Sequence, residues 1–118
     1  MTNIDFSLAR FKHLNWRFRI RNFLDGKEVL TREQAVDHTQ CDLGKWFYTE
    51  GKNKYGHLNV VQLFEKEHIL LHQIVREIVQ AKEEGNFQKA EALYQKLLQV
   101  SDNINNYLTE AEKEINTL

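Results

Sequence analysis

The chain has 118 residues, of which 42% are hydrophobic, with 16 basic and 17 acidic side chains. This length indicates a single domain over residues 1–118, and the hydrophobic fraction is enough for a compact core. The balanced charge excludes a basic nucleic-acid footprint and a polybasic membrane patch, and the lack of a long apolar run or signal peptide predicts a cytoplasmic protein without a membrane span.

The first predicted helix runs from about Ile4 to Leu24. The absence of proline favours such long helices. Apolar or ring-bearing positions follow one another at steps of three and four: Phe6, Ala9, His13, Trp16, Ile20 and Phe23. This spacing is typical of the inward face of a bundle helix, so His13 is expected inside the protein. Asp25 and Gly26 form a turn signal that ends the helix.

A short helix is predicted after the polar stretch of residues 27–40. Thr39 and Asp42 have the spacing of a capping box, so this helix should begin near Gln40 and hold Cys41 in its first turn. At that position the helix dipole and the backbone N–H groups favour a thiolate over a thiol.

Cys41 is the only cysteine of the chain and therefore forms no internal disulfide. It is a small buried residue, a reactive thiol or a metal ligand. Downstream, Trp46 and Phe47 supply an apolar anchor for the short helix. Residues 51–56 then carry two glycines and an asparagine, which indicate a loop.

The third predicted helix is long, with Asn59 as its N-cap and Gly85 just after its end. Its apolar face is spaced like that of the first helix: Val61, Phe64, His68, Leu71, Val75, Ile78 and Lys82. His72 lies next to this face.

The fourth predicted helix is capped by Asn86 and has the most regular pattern in the chain. Its inward positions are Ala90, Tyr94, Leu97, Ser101, Ile104, Leu108, Ala111, Ile115 and Leu118. Alternating steps of three and four are the period of a left-handed bundle. The predicted fold is therefore all-α, a four-helix bundle of three long helices and one short helix that carries the cysteine.

Three histidines and the cysteine predict a zinc site. His68 and His72 are four apart, so their rings leave the same helix face one turn apart. His13 comes from the inward face of another helix, and Cys41 from the start of the short one. Zinc prefers four tetrahedral nitrogen and sulfur ligands, and this set satisfies it without water. Asp37 and Glu65 are candidate acceptors for the ring N–H groups.

A simpler interpretation is that these residues belong to the core. A histidine on an apolar face is often a satisfied core residue, and a single cysteine is often a small buried hydrophobe. Three buried imidazoles without a partner would be costly, which favours the metal site. His38 and His57 fall in loop-like stretches and are not predicted as ligands, although His38 stays in reserve because it lies close to Cys41.

The residues also resemble a known family. The resemblance rests on three motifs in the order His13-x-x-Trp16, Cys41-x-Leu43-Gly44-x-Trp46 and His68-x3-His72. They look like the chemoreceptor zinc-binding (CZB) domain of bacteria, and the similarity covers nearly the whole chain. The resemblance implies a four-helix bundle, often dimeric, that holds one zinc ion through His13, Cys41, His68 and His72.

The resemblance also implies a regulatory function. Family members are attached to cytoplasmic chemoreceptors and diguanylate cyclases, and some are linked to sensing of zinc or hypochlorous acid through the cysteine. This sequence has neither a methyl-accepting coiled coil nor a cyclase domain, and Met1 and the length favour a complete small protein. The expected partners are a second copy and, in trans, a chemoreceptor, diguanylate cyclase or other signalling protein. Oxidation of Cys41 or withdrawal of the metal would release the short helix.

Three other functions are compatible with parts of the pattern. A zinc enzyme would use three histidines and an open position for water, with Glu65 or Glu67 as base. Both glutamates are expected on the solvent side, no H-E-x-x-H motif is present, and the cysteine would fill the open position, so we predict no catalytic residues. A hemerythrin-like di-iron protein would need more carboxylate and histidine ligands. A helical interaction module would need no metal at all.

Overall fold

The computed structural model describes residues 6–30 and 42–117 of the chain. Every regular element in these two ranges is helical, which confirms the all-α prediction. The α-helices are α1 (Phe6–Leu24), α2 (Asp42–Trp46), α3 (Lys52–Tyr55), α4 (Asn59–Glu83) and α5 (Phe87–Asn116). A π-helical turn, Phe47–Gly51, joins α2 to α3. No helix in the described ranges is long and apolar enough to cross a membrane.

Helix α1 buries the face that its spacing predicts. Ala9, His13, Ile20 and Phe23 are all buried. The helix ends where the turn signal lies: Gly26 has a φ of 79°, a left-handed conformation that costs glycine little.

Helices α4 and α5 form a hairpin around Gly85. This residue has a φ of 75°, and the Asn86 side chain accepts a 3.2 Å hydrogen bond from the backbone N–H of Lys89. The sequence predicted the end of α4 just before Gly85 and the Asn86 cap of α5, and both are confirmed. The short turn makes α4 and α5 antiparallel neighbours, and the inward residues of α5 from Ala90 to Ala111 are buried.

Helix α1 packs on α5 through apolar residues and through a row of ion pairs. Every charged side chain of α1 is basic, and three of its arginines pair with acids on α5: Arg10 with Glu112 at 3.1 Å, Arg17 with Asp102 at 3.0 Å and Arg21 with Glu91 at 2.6 Å. Each exposed pair contributes little free energy. Because there are three along one helix, they are consistent with the register of α1 along α5 that the buried apolar residues set.

Two local predictions are corrected. Asn59 is the first residue of α4 rather than its N-cap, since Leu58 has an extended backbone (ψ 132°) and makes no side-chain cap bond. The loop expected over residues 51–56 is mostly helical, because the π-turn runs to Gly51 and α3 follows at once. Only Gly56 ends a helix there, with its N–H donating to the Lys52 carbonyl at 2.9 Å.

Candidate metal centre

Three predicted ligand histidines meet in the protein interior. The ligand nitrogens of His13, His68 and His72 all lie within 4.8 Å of one another. The ring centroids of His13 and His68 are 5.0 Å apart, those of His68 and His72 are 4.8 Å apart, and those of His13 and His72 are 6.2 Å apart. Exposed fractions of 4%, 0% and 1% show that the cluster is closed to bulk water.

Helix geometry explains how the sequence builds the cluster. His68 and His72 leave α4 one turn apart on the face that points inward. His13 occupies the inward face of α1, at a level along the helix between the ion pairs of Arg10 and Arg17. Two residues on one helix and a third on another therefore approach a single point.

The protonation state of His13 suits a metal ligand. Burial, followed by the proximity of His72, lowers the pKa of His13 from 6.5 to about 3. Its imidazole is therefore neutral at pH 7 and keeps a lone pair for coordination. Both ring nitrogens are buried, and within residues 6–30 and 42–117 neither has a hydrogen-bond partner. A bound cation would satisfy this costly buried polar group, so the donor set suits zinc.

Aromatic side chains enclose the cluster. The rings of Trp16 and His72 are nearly perpendicular, with centroids 6.3 Å apart, and the guanidinium of Arg19 lies 4.9 Å from the centroid of the Trp16 ring. Phe64 stacks on His68 at 5.3 Å with an interplanar angle of 14°. These contacts limit the rotation of the two imidazoles and keep their surroundings apolar.

The segment 42–55, which comprises α2, the π-turn and α3, docks beside the cluster. Phe47 is 2% exposed, and its ring meets Phe64 edge to face at 5.4 Å. The Tyr48 hydroxyl donates to Glu65 Oε2 at 2.7 Å, and Lys52 Nζ donates to the same oxygen at 3.1 Å.

Glu65 and Glu67 do not lie on the solvent side, contrary to the prediction. The Glu65 side chain is 21% exposed because segment 42–55 covers it. Glu67 is also partly buried, and its Oε1 accepts a 3.2 Å hydrogen bond from Asn103 Nδ2 on α5. Both carboxylates are thus used to join helices, which sequence periodicity on α4 alone does not reveal.

The other predicted site residues lie in several parts of the chain. Cys41, the reserve ligand His38 and the candidate acceptor Asp37 lie outside the described residues, so their places in the site stay predictions. His57 is exposed, as expected for a residue with no role in the site. Tyr48 and Lys52 were not predicted from the sequence, since the π-turn that holds Tyr48 and leads into Lys52 has no period that an α-helical or β pattern would detect.

Neither the curated proteins nor the solved structures include a match to this chain. The model of the chemoreceptor zinc-binding domain family matches residues 13–79, a range that begins at the first clustered histidine and contains the other two. Because this match spans more than half of the sequence, the chain belongs to the chemoreceptor zinc-binding domain family, whose members bind zinc.

Proposed function

We propose that this chain is a zinc-binding regulatory module in which His13, Cys41, His68 and His72 hold one zinc ion. The observation that carries the proposal is the convergence of three buried imidazoles from α1 and α4 within 4.8 Å. Cys41 immediately precedes α2, and a thiolate would complete a tetrahedral set. Nitrogen and sulfur donors favour zinc over calcium, magnesium or manganese.

When bound, zinc supplies a cross-link between helices that are distant in the sequence. The ligand side chains are in a suitable state before zinc binds. Burial keeps His13 neutral, and Trp16 and Phe64 restrain the rings of His72 and His68. Three neutral imidazoles and one thiolate leave a net charge of +1 on the site. The apolar walls make loss of a ligand costly, because this charge would stay buried with fewer donors.

We infer that the long helices α1, α4 and α5, together with segment 42–55, make a four-helix bundle within a single domain over residues 1–118. Contacts of α4 with α5 and of α1 with α5 support this architecture. The packing of Phe47 on Phe64 supports the short segment as its fourth member.

The regulatory step that we propose acts on Cys41. Thiolate is the oxidisable ligand of the set, and hypochlorous acid would transfer oxygen to the sulfur, leaving a sulfenic acid and chloride. Sulfenic acid is a poorer ligand, so the short helix would be released and the long helices could shift. A second signalling chain, such as a chemoreceptor or diguanylate cyclase, would detect this change.

We propose no enzymatic activity, because the thiolate would occupy the coordination position that a catalytic zinc keeps for water. An open three-histidine site is the alternative, and a metal-free interaction module is another. Metal content separates the metal-free module from the leading proposal, and zinc retention by Cys41→Ala separates the open three-histidine site from it.

We also propose that two copies associate. Phe11 and Phe18 are each 67% exposed, and they lie seven residues apart on one face of α1. Contact with a second copy would remove both of these exposed rings from water.

The test is elemental analysis of the purified protein beside Cys41→Ala, His72→Ala and the control His57→Ala. We expect about one zinc per chain in the unaltered and control proteins and weak retention in the other two. No zinc in the unaltered protein, even after zinc is added, would leave only a helical interaction module. Zinc held equally well by Cys41→Ala would support an open three-histidine site.

A further inference from the structure

An aromatic chain of contacts connects segment 42–55 to the metal cluster. Phe47 packs edge to face on Phe64 with ring centroids 5.4 Å apart, and Phe64 stacks on His68 at 5.3 Å. Phe47 and Phe64 are both at most 3% exposed. A displacement of the segment would therefore remove the packing behind one of the proposed ligands.

A polar cluster lies next to this aromatic chain. Tyr48 and Lys52 both donate to Glu65 Oε2, at 2.7 Å and 3.1 Å, and the Lys52 ammonium lies 5.5 Å from the centroid of the Tyr48 ring. Lys52 is 52% exposed at its side chain, so its ion pair contributes little. The Tyr48 hydrogen bond to a carboxylate that is only 21% exposed is the stronger contact.

The two sets of contacts occupy adjacent positions on both elements. Phe47 and Tyr48 are neighbours in the π-turn, and Phe64 and Glu65 are neighbours on α4. Glu65 precedes His68 by three residues, or about one helical turn. The polar cluster can therefore fix the position of segment 42–55 along α4 relative to the imidazoles.

We propose that Tyr48, Glu65 and Lys52 form a latch that positions segment 42–55 against α4 and thereby sets the affinity of the site for zinc. When the latch is formed, segment 42–55, which follows Cys41 in the sequence, is held near His68 before zinc binds. Zinc binding and segment docking then stabilise each other by the same free energy, as thermodynamic linkage requires. This inference rests on the proposed function and names Glu65 and Tyr48 as positioning residues for it.

The decisive variant is Tyr48→Phe, which keeps the ring and removes the hydroxyl. We expect its affinity for zinc, measured by competition with a chelating dye, to fall about three- to tenfold. The matched control is Glu91→Gln, which removes the ion pair with Arg21 on the opposite end of α5 from the cluster. Its zinc affinity should not change, even though it also loses a surface contact.

A second measurement separates positioning from general stability. The double variant Tyr48→Phe with Glu65→Ala should bind zinc no more weakly than Glu65→Ala alone, because both changes remove one shared hydrogen bond. Glu65→Gln keeps an acceptor for Tyr48 and should retain most of the affinity. Zinc removal should speed amide hydrogen exchange in residues 42–55 of the unaltered protein, and less so in Tyr48→Phe, where exchange is already fast.

The outcomes distinguish this inference from the proposed function. If the unaltered protein binds no zinc, both are wrong. If it binds zinc and Tyr48→Phe binds zinc equally well, the latch is wrong and the zinc module stands. Additive losses in the double variant would likewise overturn the latch, since they would mean that Tyr48 and Glu65 act separately.

Discussion

The His13 imidazole is buried in the described part of the interior without a hydrogen bond to either ring nitrogen. Its exposed fraction is 4%, its two ring nitrogens have no hydrogen-bond partner among the described residues, and His68 and His72 face it from α4. Without a metal, the cost of this burial is tolerable only because the ring is neutral. The stability of the metal-free protein should therefore depend on pH.

We expect the metal-free protein to lose stability as the pH falls below 6.5. The folded pKa of His13 is about 3 and the ordinary value is 6.5, so between these values the unfolded chain binds the extra proton and is favoured. Where His13 is protonated in the unfolded chain and neutral in the folded protein, the free energy of unfolding falls by about 1.4 kcal/mol per pH unit. Urea unfolding after chelation, at neutral pH and at about pH 5, measures the loss.

The control for this prediction is a pair of leucine variants. His13→Leu should reduce the pH dependence, while His57→Leu should keep it, because His57 is exposed in the folded protein. Equal dependence on pH in all three proteins would mean that burial of His13 carries no cost.

Among the elements, α3 and the end of the π-turn that precedes it differ most from the prediction made from local sequence patterns. Two glycines and Asn53 indicate a loop, but the chain stays helical to Tyr55. Packing accounts for the difference. Phe47 is buried and the Trp46 ring lies against Gly51, so tertiary contacts hold a conformation that the glycines alone would not favour.

Gly51→Ala is expected to destabilise the protein by about 1–3 kcal/mol. The added Cβ would lie 2.6 Å from the nearest atom of the Trp46 ring, so the ring or the turn must move. Urea unfolding and the near-ultraviolet circular dichroism of the tryptophans measure the two effects. Helix propensity by itself predicts the opposite sign, a gain of about 0.5–1 kcal/mol.

The neighbouring substitution Asn53→Ala is the matched control, since Asn53 is exposed on α3. Its effect should stay within about 0.5 kcal/mol. If Gly51→Ala proves as stable as the unaltered protein or more so, the contact between Trp46 and Gly51 does not constrain the turn.

At the scale of the whole molecule, α1 presents two different faces. One face holds His13 in the interior. The other exposes Phe11 and Phe18, and α1 has basic but no acidic side chains of its own. Three of the arginines pair with α5, so the proposed contact with a second copy would rest on the two exposed phenylalanines.

We predict that Phe11→Glu with Phe18→Glu converts a dimer into a monomer. A buried carboxylate without a partner is strongly unfavourable in an interface, so each change opposes association. Sedimentation equilibrium measures the mass of the assembly. Gln73→Glu, a charge change at an exposed position of α4, should leave the mass unchanged. A monomeric unaltered protein, or a dimer that survives both changes, would contradict the prediction.

Sequence patterns were sufficient to predict the structural features that have local causes. The inward faces of α1, α4 and α5 follow from a helical period of 3.6 residues, and helix ends follow from residues such as Gly26, Gly85 and Asn86 that favour a turn or a cap. The same local geometry places His68 and His72 on one side of α4. These features involve residues within one or two turns of each other, so composition and spacing determine them.

Only the tertiary structure decided how closely distant residues approach each other. His13 lies 55 positions before His68, and the distance between their rings depends on how far α1 slides along α5. In the same way, Glu65 is bonded to Tyr48 because the π-turn docks on α4, although its helix position alone predicts exposure. Packing between helices is set by side-chain shape and burial over the whole molecule, and no pattern within a single helix contains that information.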